Sequence, residues 1–402
     1  MPPQQFQIRV EDSVLVDLHD RLRRTRWLAA SRDDEWTSGT STTYLKDLVT
    51  YWLHGYDWRR HEARLNEFPQ FKADVNGAPL HFIHQRAERT NALPLLLLHG
   101  WPDSFYRFYK VIPLLAQPEV NGGNADDAVN VVVPSLPGFG FTGAVARARA
   151  SAHQPNRQTA DLLWRLMTDV LGYERFVVAG GDGGGALAQL IAIDHPESVV
   201  GIHLTDLGWH VANVDPSSVS KEEKEYLDGA KKAFMADGAY AMVHATKPNS
   251  LAPALNDSPA ALAAWIVDRF HSWCDCDGDV GQSFTMDEIL TNIMIYWVSA
   301  TIGSSMKAYY DDAVSPSLTT ADHVAVPVAL ALFPKEPGGI PPQRFAARTL
   351  NVKRWSEMPR GGHFTAFEEP ELYARDVVAF LRELRTMSKP AGQGGNRVSA
   401  TL

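Results

Sequence analysis

Cysteine is scarce: the 402 residues hold two, Cys274 and Cys276, separated by a single residue. A ring closed between such near neighbours is strained, so the chain carries no disulfide framework of the kind that marks a small secreted scaffold. Long apolar runs are missing too. The longest, residues 324–333, is broken by Pro327 and falls far short of the ~18 residues that read as a membrane span. The first ten residues hold no apolar signal core. Positive charge is in deficit, with 38 Lys and Arg against 47 Asp and Glu for a net charge of −9. Nucleic acid and anionic membrane surfaces are therefore poor partners, and a small molecule is the expected one. No HExxH and no zinc-type spacing occurs, so no metal is expected. What is present is ordinary for a folded protein: 45% hydrophobic and 21% charged residues, with 29 Gly and 25 Pro spread along the chain. The expectation is a soluble protein of the reducing cytoplasm.

The first ninety residues read as a separate layer. Val14, Leu18 and Leu22 recur every four residues with charged residues between them, the stripe of an amphipathic helix lying on a larger body. A second helical stretch is expected over residues 42–66, dense in aromatics: Tyr44, Tyr51, Trp52, Tyr56 and Trp58. Side chains of this size mostly serve burial, so packing on a neighbouring domain is expected rather than a ligand box; the same surface would serve a homodimer as readily. Residues 71–75 and 79–84 flank Asn76-Gly77, a pair suited to a type I′ turn, and predict a hairpin.

From residue 91 short apolar runs alternate with helical patterns: strands at 95–98, 131–133, 176–179 and 199–204, helices at 105–115, 157–171 and 184–195. Such alternation implies right-handed crossovers and a mostly parallel sheet with helices on both faces. Between residues 207 and 322 the pattern is helical, at 222–236, 260–273 and 286–310; strands resume at 326–333 and 352–355 before a last helix at 369–385. The reading is an α/β core in two parts, 91–206 and 323–387, interrupted by a helical cap at 207–322. Residues 1–90 precede it as an extension that includes the leading hairpin, and the Gly- and Ser-rich tail 388–402 is expected to be disordered.

One stretch carries chemistry in its shape. Val177-Val178-Ala179-Gly180-Gly181-Asp182-Gly183-Gly184-Gly185 passes from strand to helix through small residues around one carboxylate. Glycines two before and two after Asp182 permit the sharp turn by which a nucleophile elbow presents a side chain above a sheet. A phosphate-cradling loop fares worse, because no Gly-Lys-Ser/Thr ending follows and Asp182 would face the phosphate with like charge. A carboxylate is ionised at neutral pH and attacks carbon without a base; a base is needed afterwards, to activate the water that cleaves the ester. His363, in Gly361-Gly362-His363-Phe364, follows the last strand and is the candidate base. Glu336, in Phe333-Pro334-Lys335-Glu336, is the candidate partner, with Asp206 after an earlier strand as the alternative. The chain order nucleophile, acid, histidine is that of alpha/beta hydrolases, and strand carboxyl ends are where such sheets bind ligands. His99-Gly100-Trp101-Pro102 ends the strand at 95–98. The N–H groups of Trp101 and Gly183 are the expected oxyanion hole, whereas His99 itself reads as a core residue at a turn.

These stretches together resemble the epoxide hydrolases of alpha/beta-hydrolase fold, in the branch of the microsomal enzyme and its soluble bacterial relatives. The resemblance spans nearly the whole chain, taking in Arg21-Leu22-Arg23-Arg24-Thr25-Arg26-Trp27 and Tyr56-Asp57-Trp58-Arg59 of the N-terminal extension and the four core motifs quoted above. It implies Asp182 as nucleophile, His363 as base and Glu336, rather than Asp206, as the charge-relay acid. It also implies two cap tyrosines that assist ring opening: Tyr240, six residues before Thr246-Lys247-Pro248, and Tyr309, thirteen after Tyr296, with Tyr310 as the one-residue alternative. The implied reaction converts an epoxide and water to a vicinal diol without cofactor or metal. The sequence begins at the extension, without the membrane-anchor helix of the microsomal enzymes, and a cytoplasmic protein is expected on that ground too. Soluble actinobacterial members of the branch include enzymes of secondary metabolism, such as enediyne antibiotic pathways, and the resemblance extends the expectation to a role of that kind.

Two other readings are open at this point. A haloalkane dehalogenase uses the same aspartate and histidine, but places Trp after the aspartate to bind halide where this chain has Gly183. A non-catalytic ligand-binding module of the same fold would show gaps in the constellation, and none is seen.

Overall fold

The computed structural model describes residues 2–28, 36–143 and 154–387. The predicted tail at 388–402 lies outside the described residues. Among the described residues nine strands form one sheet: β1 (Gln4–Gln5), β2 (Gln70–Val75), β3 (Ala78–Gln85), β4 (Pro94–Leu98), β5 (Asn130–Pro134), β6 (Phe176–Gly180), β7 (Val199–Leu204), β8 (Val324–Leu332) and β9 (Leu350–Glu357), in the order β1-β2-β3-β5-β4-β6-β7-β8-β9. From β5 to β9 every pairing is parallel, and β1, β2 and β3 join antiparallel at one edge. β4 and β6 are buried along their whole length, as central strands covered by helices on both faces must be. The hairpin turn has φ 54° at Asn76 and 83° at Gly77, the two positive values a type I′ turn demands.

The N-terminal layer holds α1 (Asp12–Arg23), α2 (Thr42–His54) and α3 (Trp58–Leu65). The stretch 42–66 is thus two helices: Gly55 closes α2, and the Asp57 side chain accepts the Arg59 N–H to open α3. Trp52 and Trp58 are buried, and α2 packs against α1 and two helices of the cap. The aromatics therefore serve packing within the chain. In the core, α4 (Val111–Ala116) is preceded by a separate 3-10 turn, Phe105–Phe108. The helix expected at 157–171 is α5 (Pro155–Arg165) finished by a π-turn, Leu166–Val170, and α6 (Asp182–Asp194) begins at the elbow itself.

The cap contains α7 (Lys221–Asp237), α8 (Ala239–Thr246), α9 (Pro248–Asp257), α10 (Pro259–Trp273), α11 (Met286–Ser299) and α12 (Ile302–Val314). The single helix expected at 286–310 is α11 and α12, bent by 88° about Ala300, which takes a left-handed φ of 52°. A left-handed residue ends a helix, and alanine in that role leaves no mark in a sequence. Among the described residues no single helix is long and apolar enough to cross a membrane. The chain returns through β8 and β9 to α13 (Gln343–Ala346), α14 (Thr365–Glu368) and α15 (Pro370–Met387).

Hydrogen bonds tie the N-terminal layer to the cap: Tyr51 Oη donates to Asp287 Oδ1 at 2.8 Å, and Thr40 Oγ1 to the Ala264 carbonyl at 2.6 Å. Trp52 is wholly buried on α2, the helix that packs against the cap. Replacement of Trp52 by alanine is expected to destabilise the protein by about 3–5 kcal/mol, the usual cost of a large aromatic cavity, read as a lower urea midpoint.

Candidate active site

Between the end of β6 at Gly180 and the start of α6 at Asp182 the chain has one residue in which to turn. Asp182 accordingly takes φ 53°, a left-handed conformation that a non-glycine residue adopts only when its surroundings hold it there. The glycines around it are sterically required. A Cβ on Gly180 would lie 2.6 Å from the Gly184 carbonyl carbon, and one on Gly184 would meet the Leu98 and His99 carbonyls. The Asp182 N–H donates to Asp206 Oδ2 at 2.7 Å. Its carboxylate Oδ1 accepts the Trp101 N–H at 3.2 Å and the Gly183 N–H. Burial alone would make Asp182 a weaker acid, but His363 and these two N–H groups hold it below the usual carboxylate range.

His363 reaches the same carboxylate from the other side, with Nε2 3.5 Å from Asp182 Oδ2. Its Nδ1 lies 3.0 and 3.1 Å from the two oxygens of Glu336. Burial opposes a charge on the ring, yet Glu336 and Asp182 outweigh it and raise the imidazole well above its ordinary value. Asp206 does not compete for the ring: Oδ2 is taken by Asp182 and Oδ1 accepts the Gly208 N–H at 2.9 Å.

The loop carrying His363 is fastened at several points. The His363 N–H donates to the Trp273 carbonyl at 2.8 Å, and Arg107 Nη2 to the His363 carbonyl at 2.7 Å. A Cβ on Gly362 would press on the Trp273–Asp275 backbone. Glu368 is the buried anchor, accepting the N–H groups of Asp275 at 2.8 Å, Gly362 at 3.1 Å and Phe364 at 2.8 Å, and burial pushes it up to about 7. Sequence reasoning missed Glu368 and Arg107, because their role exists only through contacts distant in the chain. His99 is a core residue: buried, with Nε2 accepting the Leu136 N–H at 3.2 Å and Nδ1 paired to the Gly100 carbonyl at 3.0 Å.

Above the elbow lies a cavity of about 420 Å3 lined mainly by apolar side chains, among them Leu136, Leu187, Leu207, Phe234 and Leu318. Tyr240 from α8 and Tyr309 from α12 both line it. Tyr240 stacks on the Trp101 indole with centroids 5.1 Å apart, and the two phenol rings stand 6.0 Å apart at 81°. Burial raises both phenols above their ordinary value, which keeps them protonated as donors at neutral pH. Tyr310 turns outward and is 39% exposed. The structure thus brings Asp182, His363, Glu336, Tyr240, Tyr309 and the Trp101 and Gly183 N–H groups to one cavity.

A nucleophile elbow at the carboxyl end of a central parallel strand, followed in chain order by an acid and a histidine, defines an alpha/beta hydrolase. The family model for the alpha/beta hydrolase fold matches residues 93–262, and that for the epoxide hydrolase N terminus matches residues 3–108. Epoxide hydrolase 1 of Oryctolagus cuniculus is 34% identical over 94% of this chain and 88% of its own length. Juvenile hormone epoxide hydrolase 2 of Ctenocephalides felis is 32% identical over 94% and 85%. Among solved structures, juvenile hormone epoxide hydrolase of Bombyx mori superposes with a TM-score of 0.87 at 27% identity, covering 96% of each chain. Epoxide hydrolase of Aspergillus niger gives 0.81 at 28%, covering 96% of this chain and 97% of that one. The chain belongs to the epoxide hydrolase family and is a hydrolase acting on epoxides.

Two buried acids, Glu368 and Asp206, are pushed up to about 7 from ordinary values of 4.5 and 3.8. Each binds its proton more tightly folded than unfolded, so its contribution to stability is full below about pH 4 and is lost as the pH rises to about 7. The melting temperature is expected to fall across pH 5–7, and Glu368→Gln to make that slope shallower; an unchanged slope in a calorimetric pH series would rule this out for Glu368.

Proposed function

We propose that Asp182 opens the epoxide and that His363 with Glu336 hydrolyses the ester so formed. Asp182 Oδ2 attacks an epoxide carbon and the carbon–oxygen bond of the ring breaks. The departing oxygen takes a proton from Tyr240 or Tyr309, whose phenols face the same space. The product is an alkyl ester on Asp182. Esterification removes the Asp182 charge that helps hold the imidazole protonated, so the ring of His363 releases its proton to solvent; the neutral Nε2 then accepts a proton from water as the water oxygen attacks the ester carbonyl, and Glu336, on Nδ1, stabilises the resulting imidazolium. The tetrahedral oxyanion is held by the Trp101 and Gly183 N–H groups. Collapse breaks the acyl–oxygen bond to the substrate, whose alkoxide takes the proton from His363 and leaves as a vicinal diol; the Asp182 carboxylic acid left behind gives up its proton, which restores the phenol that assisted ring opening, and the carboxylate is regenerated.

The observation that carries this reading is the pair of faces Asp182 presents: backbone N–H groups on Oδ1 and the His363 ring 3.5 Å from Oδ2. The dehalogenase reading is weakened by Gly183 after the nucleophile and by the tyrosine pair. The mostly apolar lining favours a hydrophobic epoxide. We further place the enzyme in the cytoplasm, a reading supported by two buried cysteines that are free, and its substrate in secondary metabolism of the enediyne kind, on the resemblance alone.

Asp182→Ala is expected to abolish diol formation. His363→Gln is expected to accumulate a protein heavier by the mass of the epoxide, with the adduct on Asp182 by peptide mapping; full activity in Asp182→Ala would sink the assignment. Tyr240→Phe and Tyr309→Phe should each slow ring opening by about 100-fold, the low end of the ordinary range for a general acid, and the double variant should be inert in a stopped-flow assay of ester formation.

A further inference from the structure

Asp206 lies at the carboxyl end of β7 and lines the cavity beside the elbow. Both of its oxygens are spent on backbone: Oδ2 on the N–H of Asp182 at 2.7 Å and Oδ1 on the N–H of Gly208 at 2.9 Å. The N–H of Asp182 belongs to the residue forced to φ 53°, so this bond pins the strained residue to the neighbouring strand. The contact is close enough that a Cβ on Gly181 would press on Thr205 and stand 3.1 Å from Asp206 Oδ2. A hydroxyl or an amide could accept that N–H as well. A carboxylate adds a third negative charge to a wall that already holds Asp182 and Glu336 around one imidazole.

We propose that Asp206 is a positioning residue of the reaction, holding the Asp182 backbone in its left-handed conformation and, as an anion, favouring ester formation. The inference rests on the two-step reading above. When Asp182 becomes an ester it loses its charge, and repulsion from an ionised Asp206 is relieved in that step. The same anion favours the imidazolium that His363 becomes when it accepts a proton from water.

The titratable groups around Asp206 are Asp182 on α6, Glu336 after β8, His363 before α14 and Tyr226 on α7. His210, in the turn that follows, is kept neutral by burial, which lowers it to about 4. Burial and then Glu336 push Asp206 up to about 7. Asp182 is held low and His363 high, so neither titrates near neutrality in the free enzyme. Glu368, the other acid near 7, sits behind the His363 loop with its oxygens on three backbone N–H groups.

The test follows single-turnover ester formation on an aryl epoxide, by the quenching of tryptophan fluorescence and by intact mass, in wild type, Asp206→Asn and Asp206→Ala across pH 5.5–9. Circular dichroism and melting temperature establish that each variant is folded. Wild-type ester formation is expected to fall as the pH drops through about 7. Asp206→Asn, which keeps an acceptor for the Asp182 N–H, should lose this acid limb and form ester within about tenfold of wild type. Asp206→Ala, which loses both acceptor and charge, should be slower again by tenfold or more. A folded Asp206→Ala with wild-type rate and pH profile overturns the proposal while leaving the two-step reading intact, and so does an acid limb that persists in Asp206→Asn. Absence of any ester in the wild type overturns both.

Discussion

A carboxylate side chain held at φ 53° is the constraint on which the site depends. In that conformation Asp182 projects from the end of β6 with one oxygen against two backbone donors and the other toward His363. A residue in an ordinary helical conformation would point along α6 and meet neither. The strain is tolerable because the alternatives are blocked: Gly180 and Gly184 let backbone pack against backbone, β4 lies alongside, and Asp206 grips the Asp182 N–H. Local strain of this kind costs on the order of 1–3 kcal/mol and persists only where the surrounding fold over-determines it.

The electrostatics follow from that placement. Three carboxylates and one imidazole share a small buried volume, and each is kept in a working state by a different means. Backbone N–H groups and the imidazole keep Asp182 ionised; Glu336 keeps His363 basic; burial keeps the phenols of Tyr240 and Tyr309 protonated. Environments that push acids and bases apart in this way allow one cavity to supply a nucleophile, a base and proton donors at a single pH.

Much of this could be read in the residues. The elbow was legible because a glycine run around one acid, between a β-branched strand and a helix, has few physical uses. The strands of the parallel core were legible as apolar runs, since strands buried on both faces cannot alternate. Other parts left no local trace. α8 and α9 hide between Gly238, Pro248 and Pro253, residues that punctuate a sequence as loop, although Pro248 merely occupies the first turn of α9, where proline is at home. Tyr240 was therefore placed by resemblance and not by its helix. The bend at Ala300 and the gap between α2 and α3 depend on single capping residues. Glu368 and Asp206 act through backbone groups remote in the chain, and no spacing rule reports such contacts. Between Glu336 and Asp206 the residues alone left the choice open; the geometry gives the imidazole to Glu336 and the elbow's N–H to Asp206.

The anchoring of the His363 loop bears on how molecules enter and leave. Its N–H is bonded to the carbonyl of Trp273, the last residue of α10, and the Gly361 N–H to the Asp275 side chain just beyond it. The base is thus fastened to the cap as firmly as to the sheet, while α1 and α2 brace α10 from outside. Ile340, which lines the same cavity, is 39% exposed. A cap that lifted to admit substrate would pull the base from its acid and expose the ester to bulk water in the wrong geometry.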